Sequence, residues 1–148
     1  MGWVDDLRGH TVGLDTAPLI YFIERHPSYV IKLRSFFQAA ERGEFRIVTS
    51  IVTLAEVLVH PLRNGRRDLV LAYRDVLLQS PNLSAVNMDP TIAEEAAQVR
   101  ARYRIATPDA IQLATAKLAK ARWFLTNDAS LPHLPELEVL LVDQLPVE

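Results

Sequence analysis

Apolar residues recur along this chain in two rhythms. Short, nearly continuous apolar runs read as strands: "TVGLD" (11–15), "FRIVTS" (45–50), "LSAVNM" (83–88), "WFLTND" (123–128) and "LEVLLV" (137–142). The stretches between them have helical spacing. "PLIYFIE" carries Pro18 in its first turn, where a missing N–H costs least. "YVIKLRSFFQAAERG" (29–43) sets Val30, Leu33, Phe37 and Ala40 on one face and stops at Gly43. "IVTLAEVLVHP" is expected to be a helix halted near Pro61, followed by a basic turn "RNGRR" (63–67) and the helix "DLVLAYRDVLLQS". Asp89-Pro90 opens the helix "TIAEEAAQVRARY", and "TPDAIQLATAK" (107–117) begins another that reaches about Arg122. Strands therefore alternate with helices, and most strands are apolar throughout, as in a parallel sheet covered on both faces. With no internal repeat, low-complexity segment or long linker, residues 1–148 are expected to form one α/β domain.

Composition narrows the chemistry. Hydrophobic residues at 49% and charged residues at 23% are ordinary for a globular domain of 148 residues. The absence of cysteine removes a disulfide scaffold, a thiol nucleophile and a thiolate metal site. Polar residues interrupt every long apolar run, and "MGWVDDLRGH" lacks the pattern of a signal peptide, so the expectation is no membrane span and a cytoplasmic protein. The four histidines show no paired ligand spacing, which argues against zinc. No G-K-[ST] phosphate loop and no G-x-S-x-G elbow occurs. At a net charge of −2, any contact with nucleic acid must come from a local patch. Arg63, Arg66 and Arg67 in the basic turn are the best candidates, while Arg100, Arg102 and Arg104 scatter around a helix.

The acids carry more information. In an open parallel sheet the strand C-termini share an edge, and sites form there near the topological switch point. Asp15 closes the first strand, and Asp128 closes the fourth just after Thr126 and Asn127. Glu56 lies about a turn and a half into the helix after the second strand. Asp109 opens the helix leading into the fourth. Each has a plain structural explanation. Thr107, Pro108 and Asp109 read as N-cap, N1 and N2 of a helix, where the dipole favours an acid. Thr53 to Glu56 has capping-box spacing, although a helix starting at Ser50 would put Glu56 inside it. Asp15-Thr16 and Asn127-Asp128 suit turns or caps. Together, however, ionised carboxylates repel unless a cation joins them. Mg²⁺ suits a few carboxylates plus retained waters, and such a site can activate water and steady charge on a phosphate.

"VGLDTAPLIYFIE", "TSIVTLAEVLVHP" and "TPDAIQLATAKLAKARWFLTND" together resemble the PIN-domain ribonucleases, especially the VapC-like toxins of type II toxin–antitoxin pairs. The resemblance runs from Asp15 to the last strand and rests on the order and spacing of the motifs. It implies a three-layer α/β/α fold with a five-stranded, mostly parallel sheet in the order 3-2-1-4-5. It implies Mg²⁺- or Mn²⁺-dependent endoribonuclease activity, with Asp15, Glu56, Asp109 and Asp128 as metal-binding and catalytic acids. Thr126 matches the hydroxyl residue beside the last acid, and Thr16 the one after the first, where it can contact RNA. The implied partners are an RNA substrate, a small VapB-like antitoxin and a second copy of the chain. In that sheet order the third strand is an edge, so Asp89 reads as a helix cap; Asp143, after the other edge strand, reads as solvated. Leu19, Tyr21, Phe22, Phe36 and Phe37 read as core or dimer interface rather than base-stacking platforms. The alternative is a non-catalytic PIN-like protein that binds RNA or a partner. A receiver-like phosphoacceptor fits worse: it would want paired acids after the first strand and a lysine at the end of the fifth.

Overall fold

The five apolar runs become strands β1 (Thr11–Leu14), β2 (Arg46–Ser50), β3 (Leu83–Val86), β4 (Trp123–Thr126) and β5 (Glu138–Leu141) in this computed structural model, which describes residues 2–148. Every pairing is parallel, and the order is β3-β2-β1-β4-β5, so the sheet expected to be mostly parallel is wholly so. Among the described residues seven α-helices accompany it: α1 (Trp3–Asp6), α2 (Thr16–Ile23), α3 (Val30–Glu41), α4 (Val52–Arg63), α5 (Arg67–Gln79), α6 (Pro90–Tyr103) and α7 (Thr107–Leu118). A 3₁₀ turn, Val142–Gln144, follows β5.

Three elements differ from the sequence reading. Helix α1 has no periodic signal in its four residues; it is held by burial of Val4 and by Trp3, which stacks on Phe36 at 5.8 Å between ring centroids. Helix α4 runs through Pro61 to Arg63 rather than stopping before it. Proline in the last turn forfeits a single helical bond, and the Asn64 and Arg66 N–H groups close the end on the carbonyls of His60 and Pro61. Helix α7 begins on Thr107 with Ala106 as its N-cap, which moves Asp109 from the expected second position to the third.

Two apolar clusters fill the two faces of the sheet. One gathers Val12, Leu14, Leu19, Leu33, Phe36, Phe37, Tyr73 and Leu77, with Tyr21 and Phe22 packed against it. The other gathers Ile92, Val99, Leu113, Phe124, Leu131 and Leu137. Helix α7 is buried continuously from Ala110 to Ala116, so almost no side of it meets water along that stretch. Small residues let it lie close to the sheet. A Cβ on Gly13, in the middle of β1, would stand 2.7 Å from the Cβ of Ala116 and 2.8 Å from Cδ1 of Phe124. Gly13 therefore fixes how near α7 comes to the central strand, and with it where the first turn of α7 sits.

Candidate active site

From β1 the chain steps outward to β2 and β3, then crosses to β4 on the other flank of β1. The switch point thus lies between β1 and β4, where a crevice opens at the strand C-termini. Asp15 follows β1 and Asp128 lies two residues beyond β4, so both stand at that crevice. Thr126, fully buried as the last residue of β4, joins them. Its hydroxyl donates to Oδ2 of Asp15 at 2.7 Å and accepts the N–H of Asp128 at 3.1 Å. Asp15 is also the N-cap of α2, with Oδ1 accepting the Thr16 N–H at 2.8 Å. The cap role and the site position coincide in one carboxylate.

The remaining acids arrive on helices. Glu56 lies inside α4, whose first residue is Val52, so the capping-box reading gives way to the alternative. Thr53 is buried, and it is Ser50 Oγ that takes the Val52 N–H, at 3.1 Å. Glu56 is exposed, and its Oε1 accepts the Thr16 hydroxyl at 3.0 Å, tying α4 to α2. Asp109 is half-buried in the first turn of α7, and its carboxylate takes no hydrogen bond from the described residues. It owes its place to the helix it opens.

Electrostatics tie the four together. Burial pushes the Asp109 carboxyl above its ordinary range, and the charges of Asp15, Asp128 and Glu56 push it further in the same direction. Burial likewise raises Asp15, against the hydrogen bonds of Thr126 and Thr16 and with the help of Asp128. Among the described residues, none of the ion pairs involves any of these acids. Like charges thus act on one another with no basic side chain among the described residues paired to them, an arrangement that a cation relieves. The donor set is all oxygen, the preference of Mg²⁺ and Mn²⁺. Among the described residues no three acids or histidines stand as a ready-made metal cage. An open set of this kind suits Mg²⁺, which keeps several of its waters and takes one or two carboxylates directly.

The other candidates fall elsewhere. Arg63 ends α4 and Arg67 begins α5, while Arg66 is held in a two-pronged pair with Asp68, at 3.0 and 2.9 Å. Asp89 caps α6 through the Ile92 N–H at 2.8 Å. Asp143 is exposed, but its Oδ1 accepts the Tyr29 hydroxyl at 2.6 Å and its N–H donates to Asn127 Oδ1 at 2.9 Å. It is a bonded surface residue rather than a merely solvated one. Arg100 spans the α6–α7 connection, donating to the Ile105 carbonyl at 2.9 Å.

Two features escaped the sequence reading. Ser130 gives Asp128 both its N–H and its hydroxyl, at 2.9 and 2.6 Å on Oδ1, which turns the acid and leaves Oδ2 open. The D-x-S spacing is its only trace in the sequence. Beneath the acids, Thr49, Ser50, Thr53 and Gln112 are buried polar residues joined to one another by hydrogen bonds. Their trace is a glutamine within the apolar run "AIQLATA".

Comparison with known structures gives the same fold. A VapBC2 complex from Rickettsia felis bound to a promoter DNA fragment superposes with a TM-score of 0.68 at 18% identity, over 88% of this chain and 98% of that one. A DNA-bound VapBC from Salmonella typhimurium gives 0.66 at 19% identity, covering 90% and 98%. A toxin–antitoxin complex from Klebsiella pneumoniae gives 0.60 at 24% identity, covering 86% and 94%. No curated protein sequence matches significantly. The PIN domain profile matches residues 12–137, a span that takes in four of the five strands (β1 from its second residue), all four acids, and the chain up to the start of β5. The chain belongs to the PIN domain family.

Proposed function

We propose that this protein is a divalent-metal-dependent endoribonuclease and the toxin half of a toxin–antitoxin pair. One observation carries the reading: four carboxylates from separate elements bear on one another at the switch point, with no cationic side chain paired to any of them. PIN membership and the fold shared with toxin–antitoxin complexes support it.

Asp15 and Asp109 are the direct ligands in this reading, with Asp128 and Glu56 completing the acidic shell, directly or through water. A bound Mg²⁺ or Mn²⁺ would supply Lewis acidity, lowering the pKa of nearby water and offsetting charge that builds on the phosphate. Thr126 and Thr16 fix both oxygens of Asp15. Glu56 has Oε1 tied to Thr16 and keeps Oε2 for the proton that the attacking water gives up. Water adds to phosphorus as the bond to the 3′-oxygen breaks; the 3′-oxygen takes up a proton from solvent, leaving a 5′-phosphate and a 3′-hydroxyl. The N-termini of α2 and α7 face the same edge as their acids and favour a phosphate there. Arg63 and Arg67 are the candidates for flanking phosphates, with Arg66 already matched by Asp68. The apolar surface that α4 and α5 leave exposed at Val59, Leu62, Leu71 and Leu78 gives a second copy or an antitoxin something to cover.

The test compares wild type with Asp109→Asn. Wild type is expected to cleave RNA only with Mg²⁺ or Mn²⁺, and expression without an antitoxin is expected to arrest growth with discrete new 5′-phosphate ends. Asp109→Asn should fold and do neither. Cleavage at the wild-type rate by the variant would reduce Asp109 to a helix-dipole residue. A folded wild type that binds RNA without turnover would be the non-catalytic alternative.

A further inference from the structure

We infer that Gln112, Thr53 and Thr49 form a buried hydrogen-bond chain that sets the spacing of the metal-binding acids, and that they are positioning residues for that site. The inference rests on the proposed function and deepens it.

The chain has a direction. The Ser50 N–H donates to Oε1 of Gln112 at 3.1 Å, which orients the amide and points Nε2 the other way. Nε2 then donates to Oγ1 of Thr53 at 2.5 Å. Thr53 and Thr49 share a hydrogen bond of 2.7 Å, and Thr49 donates to the Leu14 carbonyl at 2.8 Å. The Thr49 hydroxyl also stands 3.3 Å from Oε1 of Gln112; with its proton on the nearer Leu14 carbonyl, it is Thr53 that donates to Thr49. All three side chains are nearly inaccessible: Thr53 at 0%, Thr49 at 1% and Gln112 at 3% exposure.

What the chain joins is the point. Gln112 stands three residues after Asp109 in α7, and Thr53 three residues before Glu56 in α4. Residues three apart share a helix face, so each polar residue lies about one turn from its acid. Leu14 immediately precedes Asp15. A single buried run of donors thus pins α7, α4 and β1, the elements that carry three of the acids; Thr126 adds the fourth by bridging Asp15 to the Asp128 N–H. Stability alone would be served nearly as well by apolar side chains, since replacing both partners of a buried hydrogen bond with apolar groups of the same shape can be close to neutral. Hydrogen bonds add direction, and groups that repel one another need their separation fixed.

The experiment titrates purified protein with Mn²⁺ alone, following the bound ion by its paramagnetic resonance, alongside thermal unfolding and Mg²⁺-dependent RNA cleavage. Gln112→Met and Thr53→Val keep the volume and remove the donors. Both are expected to weaken Mn²⁺ binding about tenfold, the low end of the loss that follows when a ligand's own hydrogen-bond partner is removed. Thr53→Ser, which keeps the hydroxyl, should bind within about twofold of wild type. Thr115→Val is the control: it removes a buried hydroxyl of the same helix that bonds only to the Ile111 carbonyl. It should lower the unfolding temperature and leave Mn²⁺ affinity unchanged. Wild-type affinity in folded Gln112→Met and Thr53→Val overturns the inference, as does an equal loss of affinity in Thr115→Val. Should either variant lose cooperative unfolding, Thr49→Val, which removes one hydroxyl and leaves the Gln112–Thr53 and Gln112–Ser50 bonds in place, is read instead by the same criterion. A wild type that neither binds Mn²⁺ nor cleaves RNA would sink the proposed function itself, a result distinct from insensitive variants of an active protein.

Discussion

Asp109 shows how a residue can be explained twice. Its place in the first turn of α7 suits a carboxylate for reasons of dipole alone. Yet burial and three neighbouring acids hold its proton more tightly than an ordinary aspartate would. The consequence for stability has a definite sign. A carboxyl whose folded pKa lies above its unfolded value binds more protons when folded, so folding is favoured as pH falls through the raised value. Asp15 and Asp109 both behave this way. In the absence of divalent ions, their contribution should grow as pH is lowered from neutrality and level off near the ordinary carboxylate pKa of about 4. Thermal unfolding in a chelator across that range measures it. Asp109→Asn removes the charge outright. We expect the variant to unfold about 2–4 °C higher than wild type at neutral pH without metal, as ~1 kcal/mol gives at this size, and to show a flatter pH dependence. A lower unfolding temperature would mean that the helix dipole outweighs the repulsion. Thr126→Val is expected to act in the opposite sense: it takes a hydrogen bond from Asp15 and another from the Asp128 N–H, so RNA cleavage should fall about 10–100-fold.

At the scale of elements, what could be read ahead of the structure was what repeats along the chain. The five apolar runs were legible because a strand buried on both faces has almost no choice of residue. Asp89-Pro90 was legible because a capping side chain and a fixed φ act locally. Asp89→Ala should therefore cost about 1 kcal/mol and leave cleavage untouched. By contrast, α1 could not be read, since its reason for existing is a hydrophobic patch more than thirty residues away, where Trp3 meets Phe36. The persistence of α4 through Pro61 depends on how Asn64 and Arg66 close its end. Gly13 carries the same lesson for the site. Nothing in "TVGLD" marks it out, whereas its missing side chain is what admits Ala116. Gly13→Ala forces a Cβ against another Cβ that has no rotamer to retreat into. It should destabilise the protein by about 1–3 kcal/mol and, by lifting α7 from the sheet, weaken divalent-ion binding as well. Chemical denaturation and Mn²⁺ titration of the same sample test both halves.

For the whole molecule, the positions of the acids were legible and their separations were not. Asp15 and Asp128 follow strands, and the sheet order alone makes them neighbours; Asp109 and Glu56 depend on how two helices pack and on buried donors that the sequence marks only with a stray glutamine. A fold that gathers like charges at one edge is less stable than it need be until something binds there. On the proposed function, divalent ions are expected to stabilise the native state by mass action. At about 100 times its dissociation constant an ion adds ~2.7 kcal/mol, or roughly 5–10 °C for a chain of this length. The rise should be specific to Mg²⁺ or Mn²⁺ over a monovalent salt at matched ionic strength, because screening acts weakly on half-buried groups. It should also shrink as pH falls, since Asp15 and Asp109 then hold protons that the ion must displace. Asp109→Asn begins from a higher unfolding temperature and should gain much less from Mn²⁺, so its melting temperature plotted against Mn²⁺ concentration should cross that of wild type. Parallel curves would place the ion elsewhere on the molecule and detach Asp109 from metal binding.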